Sequence, residues 1–141
     1  MNNITHFICF KSFFDYYSSK ISPKFCDIDI YLRSGEEMNL EDVSDLLSIS
    51  ENELKNIMNE KNIYFIDKGN FLEIMLLGSS YICQLYRREV ECGSPILYTP
   101  EQISYIFDLD IYIILQICKE LDIKEASSII LPKIFSKIAV S

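Results

Sequence analysis

Hydrophobic positions between residues 39 and 62 recur at spacings of three and four, the period of an amphipathic helix. They form two sets: Val43, Leu46 and Leu47, then Leu54, Ile57 and Met58. The segment Ser48-Ile49-Ser50 separates them and supplies a tight turn with one apolar residue between the helices. The pattern therefore predicts a helix-turn-helix unit.

Polar residues suited to capping precede both predicted helices. Asn39 is placed to cap the first helix, and Ser50 is placed to cap the second. Glu53, three residues after Ser50, completes the pattern of a capping box. These caps fix the expected helix starts.

After residue 62 the pattern changes to two short β-prone segments, Ile63 to Ile66 and Phe71 to Met75. Between them lies Asp67-Lys68-Gly69-Asn70, in which Gly69 is free to take a positive φ. We therefore predict a β-hairpin wing after the second helix.

Before this unit, residues 4 to 19 carry an aromatic stripe at helical spacing, formed by Phe10, Phe13, Phe14 and Tyr17. We expect one helix there, ended by Pro23, then a short strand over residues 25–32 and a polar linker. After the unit, helices are predicted from Gly78 to about Glu91, over residues 99–123, and over residues 126–139 with Pro132 at a start or kink.

The chain matches itself when residues 39–63 are laid over residues 99–123 without a gap. Core, turn and cap positions coincide, for example Ser50 with Asp110 and Leu54 with Ile114. We interpret residues 99–123 as a second helix-turn-helix copy. The predicted fold is mainly α with a small β-hairpin wing, in which tandem helix-turn-helix units share one core. Its expected segments are 1–37, 38–77 and 78–141.

The two copies differ on the outer face of their second helix. The first presents amides and a lysine that can reach base edges or phosphates: Asn52, Lys55, Asn56 and Asn59. The equivalent positions of the second copy include Ile111, Tyr112, Leu115, Gln116 and Lys119. Its helix is apolar nearly all round. We therefore expect the second copy to be buried or to form a dimer.

Residues 39–75 resemble the winged helix-turn-helix of the excisionase and MerR-like families. The matching positions are Leu40, Val43, Leu46, Leu47, Ile49 and Ser50, followed by Lys68-Gly69-Asn70 as the wing tip. The sequence departs from the family pattern at Ser44, where alanine is usual. It also departs in charge, with three lysines and seven acidic residues between positions 39 and 70, a formal charge of −4. The resemblance implies DNA binding through the second helix and the wing.

Charge and reactive residues narrow the functional classes. The net charge of −8 disfavours non-specific contact with phosphates or anionic lipid. The five cysteines form no CxxC pair, and one histidine gives no metal-ligand spacing. With no glycine-rich phosphate loop or nucleophile elbow, we expect no enzyme activity, no cofactor and no metal. With no signal peptide or apolar run of about 18 residues, we expect a cytoplasmic protein.

The leading hypothesis is a non-enzymatic DNA-binding regulator, acting in transcription or as an accessory factor in recombination or excision. Its predicted site residues are Asn52, Lys55, Asn56, Asn59, Lys61, Lys68 and Asn70. Arg87 and Arg88 are candidates for support, and a homodimer through the second copy and the terminal helices would present two such sites. The alternatives are an acidic module that binds a protein partner and a structural scaffold.

Overall fold

The computed structural model describes residues 11–34 and 37–139. This part of the chain is mainly helical and separates into two compact units. The central unit is Lys24–Ser94, and the split unit combines the described residues 11–23 with residues 95–139. The first helix-turn-helix copy lies in the central unit and the second in the split unit.

The helices follow one another closely along the chain. In order they are α1 (Phe13–Tyr16), a π-helical turn (Tyr17–Ile21), α2 (Ser22–Ser34), α3 (Leu40–Leu47), α4 (Glu51–Lys61), α5 (Lys68–Leu77), α6 (Tyr81–Glu91), α7 (Pro100–Phe107), α8 (Ile111–Glu120) and α9 (Leu131–Phe135). Among the predicted terminal helices, the one over residues 126–139 is reduced to α9, with Pro132 in its first turn. Phe10 of the predicted aromatic stripe lies outside the described residues.

The strand predicted over residues 25–32 is wrong, because those residues belong to α2. Pro23 does not end the helical segment as predicted, because α2 follows the π-helical turn without a break and Pro23 is its second residue. Ile28 and Tyr31, three residues apart, are both buried, which is helical and not strand periodicity. The Tyr31 ring packs on Phe71 of α5 at a centroid distance of 4.9 Å.

The predicted β-hairpin wing is also wrong. In the described residues the β pairing consists of isolated bridges, and Met38 pairs with Ile66 in one of them. Asp67 caps α5, since its carboxylate accepts a hydrogen bond of 2.9 Å from the Asn70 amide. The expected turn residues therefore become the first helical turn, and Phe71, Ile74 and Met75 are buried at helical spacing.

The turn between the helices is built in the same way in both copies. Ser48 and Asp108 end their helices in the left-handed region, each with a φ of 57°. The Ser44 hydroxyl donates to the Ile49 carbonyl at 2.5 Å, and the Ser104 hydroxyl donates to the Leu109 carbonyl at 2.6 Å. These serines close the turn, which gives a physical reason for serine where alanine is usual in the resembled families.

The repeat continues beyond the second helix. The Ile63 amide donates to the Met58 carbonyl at 2.9 Å, and the Ile123 amide donates to the Cys118 carbonyl at 2.8 Å. The bridge between Met38 and Ile66 has its counterpart in the second copy between Tyr98 and Ala126. The structural repeat therefore spans positions 38–66 and 98–126.

Each unit has its own buried residues. In the split unit, Phe13, Phe107 and Phe135 pack edge to face, with centroid distances of 4.8 Å from Phe13 to Phe135 and 4.9 Å from Phe107 to Phe135. In the central unit, Leu47, Leu54, Phe71 and Ile74 are fully buried. The fixed core under α3, α4 and α5 determines which side of α4 faces outward.

Candidate nucleic-acid interface

Helix α4 begins at the cap predicted from the sequence. The Ser50 hydroxyl accepts a hydrogen bond of 3.0 Å from the Glu53 amide, which ties down one of the free N–H groups of the first turn. Leu54 and Ile57 are buried three residues apart on the inner side. The remaining side of the helix therefore faces solvent.

Four of the predicted site residues, Asn52, Lys55, Asn56 and Asn59, share that outer side, whereas Lys61 is the last residue of α4 and lies on the helix side of Leu54 and Ile57. All are exposed: Asn52, Lys55, Asn56, Asn59 and Lys61. Within the described residues, their side chains make no hydrogen bond or ion pair. The fold does not occupy these amides and lysines, so they are available to a ligand. This is the chemical set that reads base edges and phosphates in a major groove.

Lys68 and Asn70 are not brought to a wing tip. Lys68 is the exposed first residue of α5. Asn70 is half-buried, and its side-chain amide donates a hydrogen bond of 2.8 Å to the Phe65 carbonyl. Asn70 therefore supports the loop between α4 and α5.

Most of the negative charge of this region lies away from the outer side of α4. Helix α4 itself carries Lys55 and Lys61 against Glu51, Glu53 and Glu60, a formal charge of −1, and the Glu53 carboxylate is turned to Ser79. The carboxylates of Glu41, Asp42 and Asp45 are exposed on α3. Two of these residues lie in the first turn of α3, where their negative charge interacts favourably with the positive end of the helix dipole. The formal charge of −4 over residues 39–70 thus overstates the acidity of the α4 surface.

Two exposed aromatic side chains lie directly after α4, and the sequence reasoning missed them. Tyr64 is 87% exposed and Phe65 is 55% exposed, between the buried Ile63 and Ile66. Comparison of the two copies could have identified them, because the equivalent positions in the second copy are the polar residues Lys124 and Glu125. A Tyr-Phe pair at positions where the other copy is charged indicates a contact surface.

The segment Gly78–Ser80, which joins α5 to α6, reaches the start of α4. The Glu53 carboxylate accepts from the Ser79 amide and from the Ser79 hydroxyl, both at 2.7 Å. The Ser80 hydroxyl donates to the Leu47 carbonyl at 2.6 Å. The capping box predicted at Glu53 is therefore incomplete, because its carboxylate binds Ser79. A partner so far along the chain has no local signature in the sequence.

Arg87 and Arg88, expected as supporting contacts to DNA, serve the fold. The Arg87 guanidinium donates to the Leu76 carbonyl at 2.8 Å, and Arg88 Nε donates to the Gln84 carbonyl at 3.2 Å. Both side chains are partly buried. Neither guanidinium is free in the way that the α4 lysines are.

The second copy presents a different surface. On α8, Tyr112 is 78% exposed, and Ile113 and Leu115 are also exposed. The expectation that this helix is buried within the chain is wrong for these side chains. Its outer side is an exposed apolar surface, and Tyr112 and Leu115 stand where Asn52 and Lys55 stand in the first copy.

Other chemistry is limited in the described part of the chain. Cys26, Cys83, Cys92 and Cys118 are free thiols, and no cluster of metal-ligating side chains occurs among the residues described. Burial raises the pKa of the Cys83 and Cys118 thiols, which keeps them protonated. Across residues 11–34 and 37–139, no helix combines the length and apolarity that crossing a bilayer requires.

The chain was also compared with known proteins. No protein family, no curated protein and no solved structure matches it.

Proposed function

We propose that this protein is a DNA-binding regulator whose helix α4 enters the major groove. The observation that carries the proposal is the outer side of α4, where three amides and Lys55 are exposed and not engaged by the rest of the described chain. Asn52, Asn56 and Asn59 are suited to base edges, since an amide both donates and accepts. Lys55 and Lys61 are suited to phosphates. The protein would act in the cytoplasm, in transcription or in recombination.

Residues after α4 extend the proposed surface. Lys68, at the start of α5, is a candidate phosphate contact. Tyr64 and Phe65 can stack on bases or pack on the sugar edge, as exposed aromatics do in nucleic-acid complexes. Asn70 holds the loop that carries them.

The direct test is binding of the purified protein to a pool of random DNA duplexes by fluorescence anisotropy, across a series of salt concentrations. We expect DNA binding at low ionic strength, and we expect the logarithm of the affinity to fall linearly with the logarithm of the salt concentration. Repeated selection from the pool should enrich one sequence. If the protein does not bind DNA at about 20 mM salt, where electrostatic binding is strong, the proposal is contradicted.

Charge-matched variants locate the binding surface. Lys55→Ala and Lys61→Ala should each reduce the slope of log affinity against log salt by about one. Lys137→Ala is the control, because Lys137 is exposed in the split unit and the variant loses the same charge. Equal effects of all three substitutions would place DNA elsewhere than on α4.

We further propose that the split unit forms a homodimer through the apolar outer side of α8. Tyr112, Ile113 and Leu115 lie within four residues of one another and are exposed. Clustered exposed apolar side chains are typical of protein contacts. A dimer would present two α4 helices to one duplex.

Sedimentation should show dimers of the wild type and monomers of Leu115→Glu. A wild type that stays monomeric at about 100 μM, well above a micromolar dissociation constant, would exclude the proposed dimer.

A protein partner instead of DNA is the second candidate, favoured by the exposed carboxylates of Glu41, Asp42 and Asp45 on α3. A basic partner would be steered to such a surface. Affinity purification of the wild type and of a Glu41→Lys, Asp42→Lys variant would separate the two candidates. Loss of a co-purified protein in that variant, with no effect of Lys55→Ala, supports the protein partner.

A further inference from the structure

We propose that Glu53, Ser79 and Ser80 form a clamp that sets the position of α4 for DNA binding. The inference rests on the proposed function and adds positioning residues that do not themselves face the DNA. The clamp joins the start of α4, the end of α3 and the segment that precedes α6. Its role is to hold the helix that carries Asn52, Lys55 and Asn56 in one orientation.

The clamp grips both helices of the helix-turn-helix unit. On α4, the Glu53 carboxylate accepts two hydrogen bonds of 2.7 Å from the Ser79 amide and hydroxyl. On α3, the carbonyl of Leu47, its last residue, accepts a hydrogen bond of 2.6 Å from the Ser80 hydroxyl. Hydrogen bonds to an ionised carboxylate are stronger than those between neutral groups. The two helices are therefore held from the same short segment.

The segment itself is held by α6. The Gln84 side-chain amide donates to the Ser79 carbonyl at 2.7 Å. The Arg87 guanidinium donates to the Leu76 carbonyl at 2.8 Å and to the Gly78 carbonyl at 3.5 Å. The Ser80 hydroxyl also caps α6, accepting from the Cys83 amide at 3.2 Å. Because these carbonyls are fixed, Ser79 presents its donors to Glu53 from a rigid support.

A close approach at Gly78 allows the segment to reach the turn. A Cβ at this position would come within 3.0 Å of Cys83 Cβ and closer still to its Sγ, and it would be 3.5 Å from Ile49 Cγ2. Ile49 is the apolar residue of the turn between α3 and α4. The distance to Ile49 is an ordinary contact, so it is the Cys83 side chain of α6 that leaves no room for a side chain where the segment passes the turn.

The clamp belongs to the copy with the polar helix. Position 113, which matches Glu53 in the repeat, is an exposed isoleucine. In that copy the start of the first helix carries the complete capping box of Thr99 and Gln102, which is local to α7. The long-range clamp therefore accompanies the DNA-reading surface and is not a general requirement of the fold.

The two effects of removing Glu53, loss of its negative charge and loss of its hydrogen bonds, should change DNA affinity in opposite directions. Loss of the Glu53 charge, taken alone, should strengthen DNA binding by reducing repulsion of phosphates. Loss of the clamp should weaken binding because α4 loses its fixed orientation. Glu53→Ala removes both charge and hydrogen bonds. Glu53→Gln removes the charge but keeps an acceptor for the Ser79 amide and a donor for the Ser79 hydroxyl oxygen. Glu51→Ala is the matched control, an exposed glutamate of the same helical turn.

The experiment measures DNA affinity and amide hydrogen exchange for the wild type and these three variants. We expect Glu53→Ala to bind on the order of tenfold more weakly than the wild type, the size expected for lost charge-assisted hydrogen bonds. Glu53→Gln and Glu51→Ala should bind as well as the wild type or better. If Glu53→Ala binds like Glu51→Ala, the clamp does not position the helix and the proposal is overturned.

The Ser79 amide gives a readout that does not depend on DNA. Its hydrogen bond runs to Glu53, so its exchange should be slow in the wild type, in Glu53→Gln and in Glu51→Ala, and fast in Glu53→Ala. Fast exchange in the wild type overturns the clamp even where DNA is bound. Slow exchange in a wild type that fails to bind DNA overturns the proposed function while the clamp itself stands.

Discussion

Among single residues, Gly78 and Cys83 show how closely the central unit is packed. The Cys83 side chain is fully buried, and it fills the space that a side chain at position 78 would need. The backbone at Gly78 has a φ of −67°, which any residue adopts. The glycine is therefore required by contact and not by conformation.

We predict that Gly78→Ala lowers the free energy of unfolding by about 1–3 kcal/mol, the cost of overpacking a core. The combined variant Gly78→Ala, Cys83→Ala should recover part of this loss because the thiol no longer opposes the new methyl group. Chemical denaturation measures both. Gly69→Ala is the control, since its Cβ would meet only the Asp67 carboxylate at 3.6 Å; a similar loss there would refute the steric explanation.

The buried Cys83 thiol should make stability depend on alkaline pH. Burial is the largest cause that raises its pKa in the folded protein, so the folded state holds this proton more strongly than the unfolded state does. The stabilisation is complete below the ordinary thiol pKa and is lost as pH rises above it. Denaturation over this range should therefore show a steeper fall for the wild type than for Cys83→Ala. Parallel curves would show that the thiol is not the cause.

Among the helices, one cap decides which structure forms after α4. Residues 63–75 have the composition of a hairpin, and Gly69 favours a turn. The Asp67 carboxylate nevertheless binds the Asn70 amide and starts a helix. The buried positions Phe71, Ile74 and Met75 fit a helix as well as a strand over so short a run. Local composition favours both structures, and the helix that forms has the Asp67 cap at its start and the Phe71 ring packed on Tyr31 of α2.

Asp67→Ala should lower the free energy of unfolding by about 1 kcal/mol, the usual cost of losing an N-cap. It should also speed amide exchange in the first turn of α5, where Asn70 holds the Phe65 carbonyl. Asp27→Ala, an exposed position within α2, is a suitable comparison. Equal stability of the two variants would argue against a dominant role for this cap.

The helix pairs were predictable because their signals are local. Asn39 and Ser50 act as caps in the structure as predicted, Thr99 caps α7 at the position that matches Asn39, and the buried sets recur at helical spacing in both copies. The clamp was not predictable, because Glu53 already had a local explanation in the capping box. The exposure of Tyr112 was not predictable either, since an apolar outer side is consistent with both burial and contact with a partner.

At the scale of the whole molecule, we predict that the central unit and the split unit respond separately to core substitutions, because each is compact and has buried residues of its own. Phe13→Ala should loosen the split unit, where its ring packs on Phe135, and Phe71→Ala should loosen the central unit. Each should cost about 3–5 kcal/mol in its own unit. Hydrogen exchange with mass spectrometry, read peptide by peptide, should localise each effect. A uniform increase throughout the chain would indicate one cooperative unit instead.

The division of the split unit has a consequence for synthesis on the ribosome. Its two parts meet where the Phe13 amide donates to the Ile138 carbonyl at 2.8 Å and Ser12 pairs with Ala139. All of the central unit is translated before residue 138 leaves the ribosome, so the polar helix-turn-helix can fold while the aromatic residues around Phe13 still lack their partners. Nascent chains fold in this order, with early units completed first. The phenylalanine and tyrosine side chains of residues 13–17 would stay exposed until residue 138 leaves the ribosome. We therefore expect a chaperone to contact residues 13–17 during synthesis.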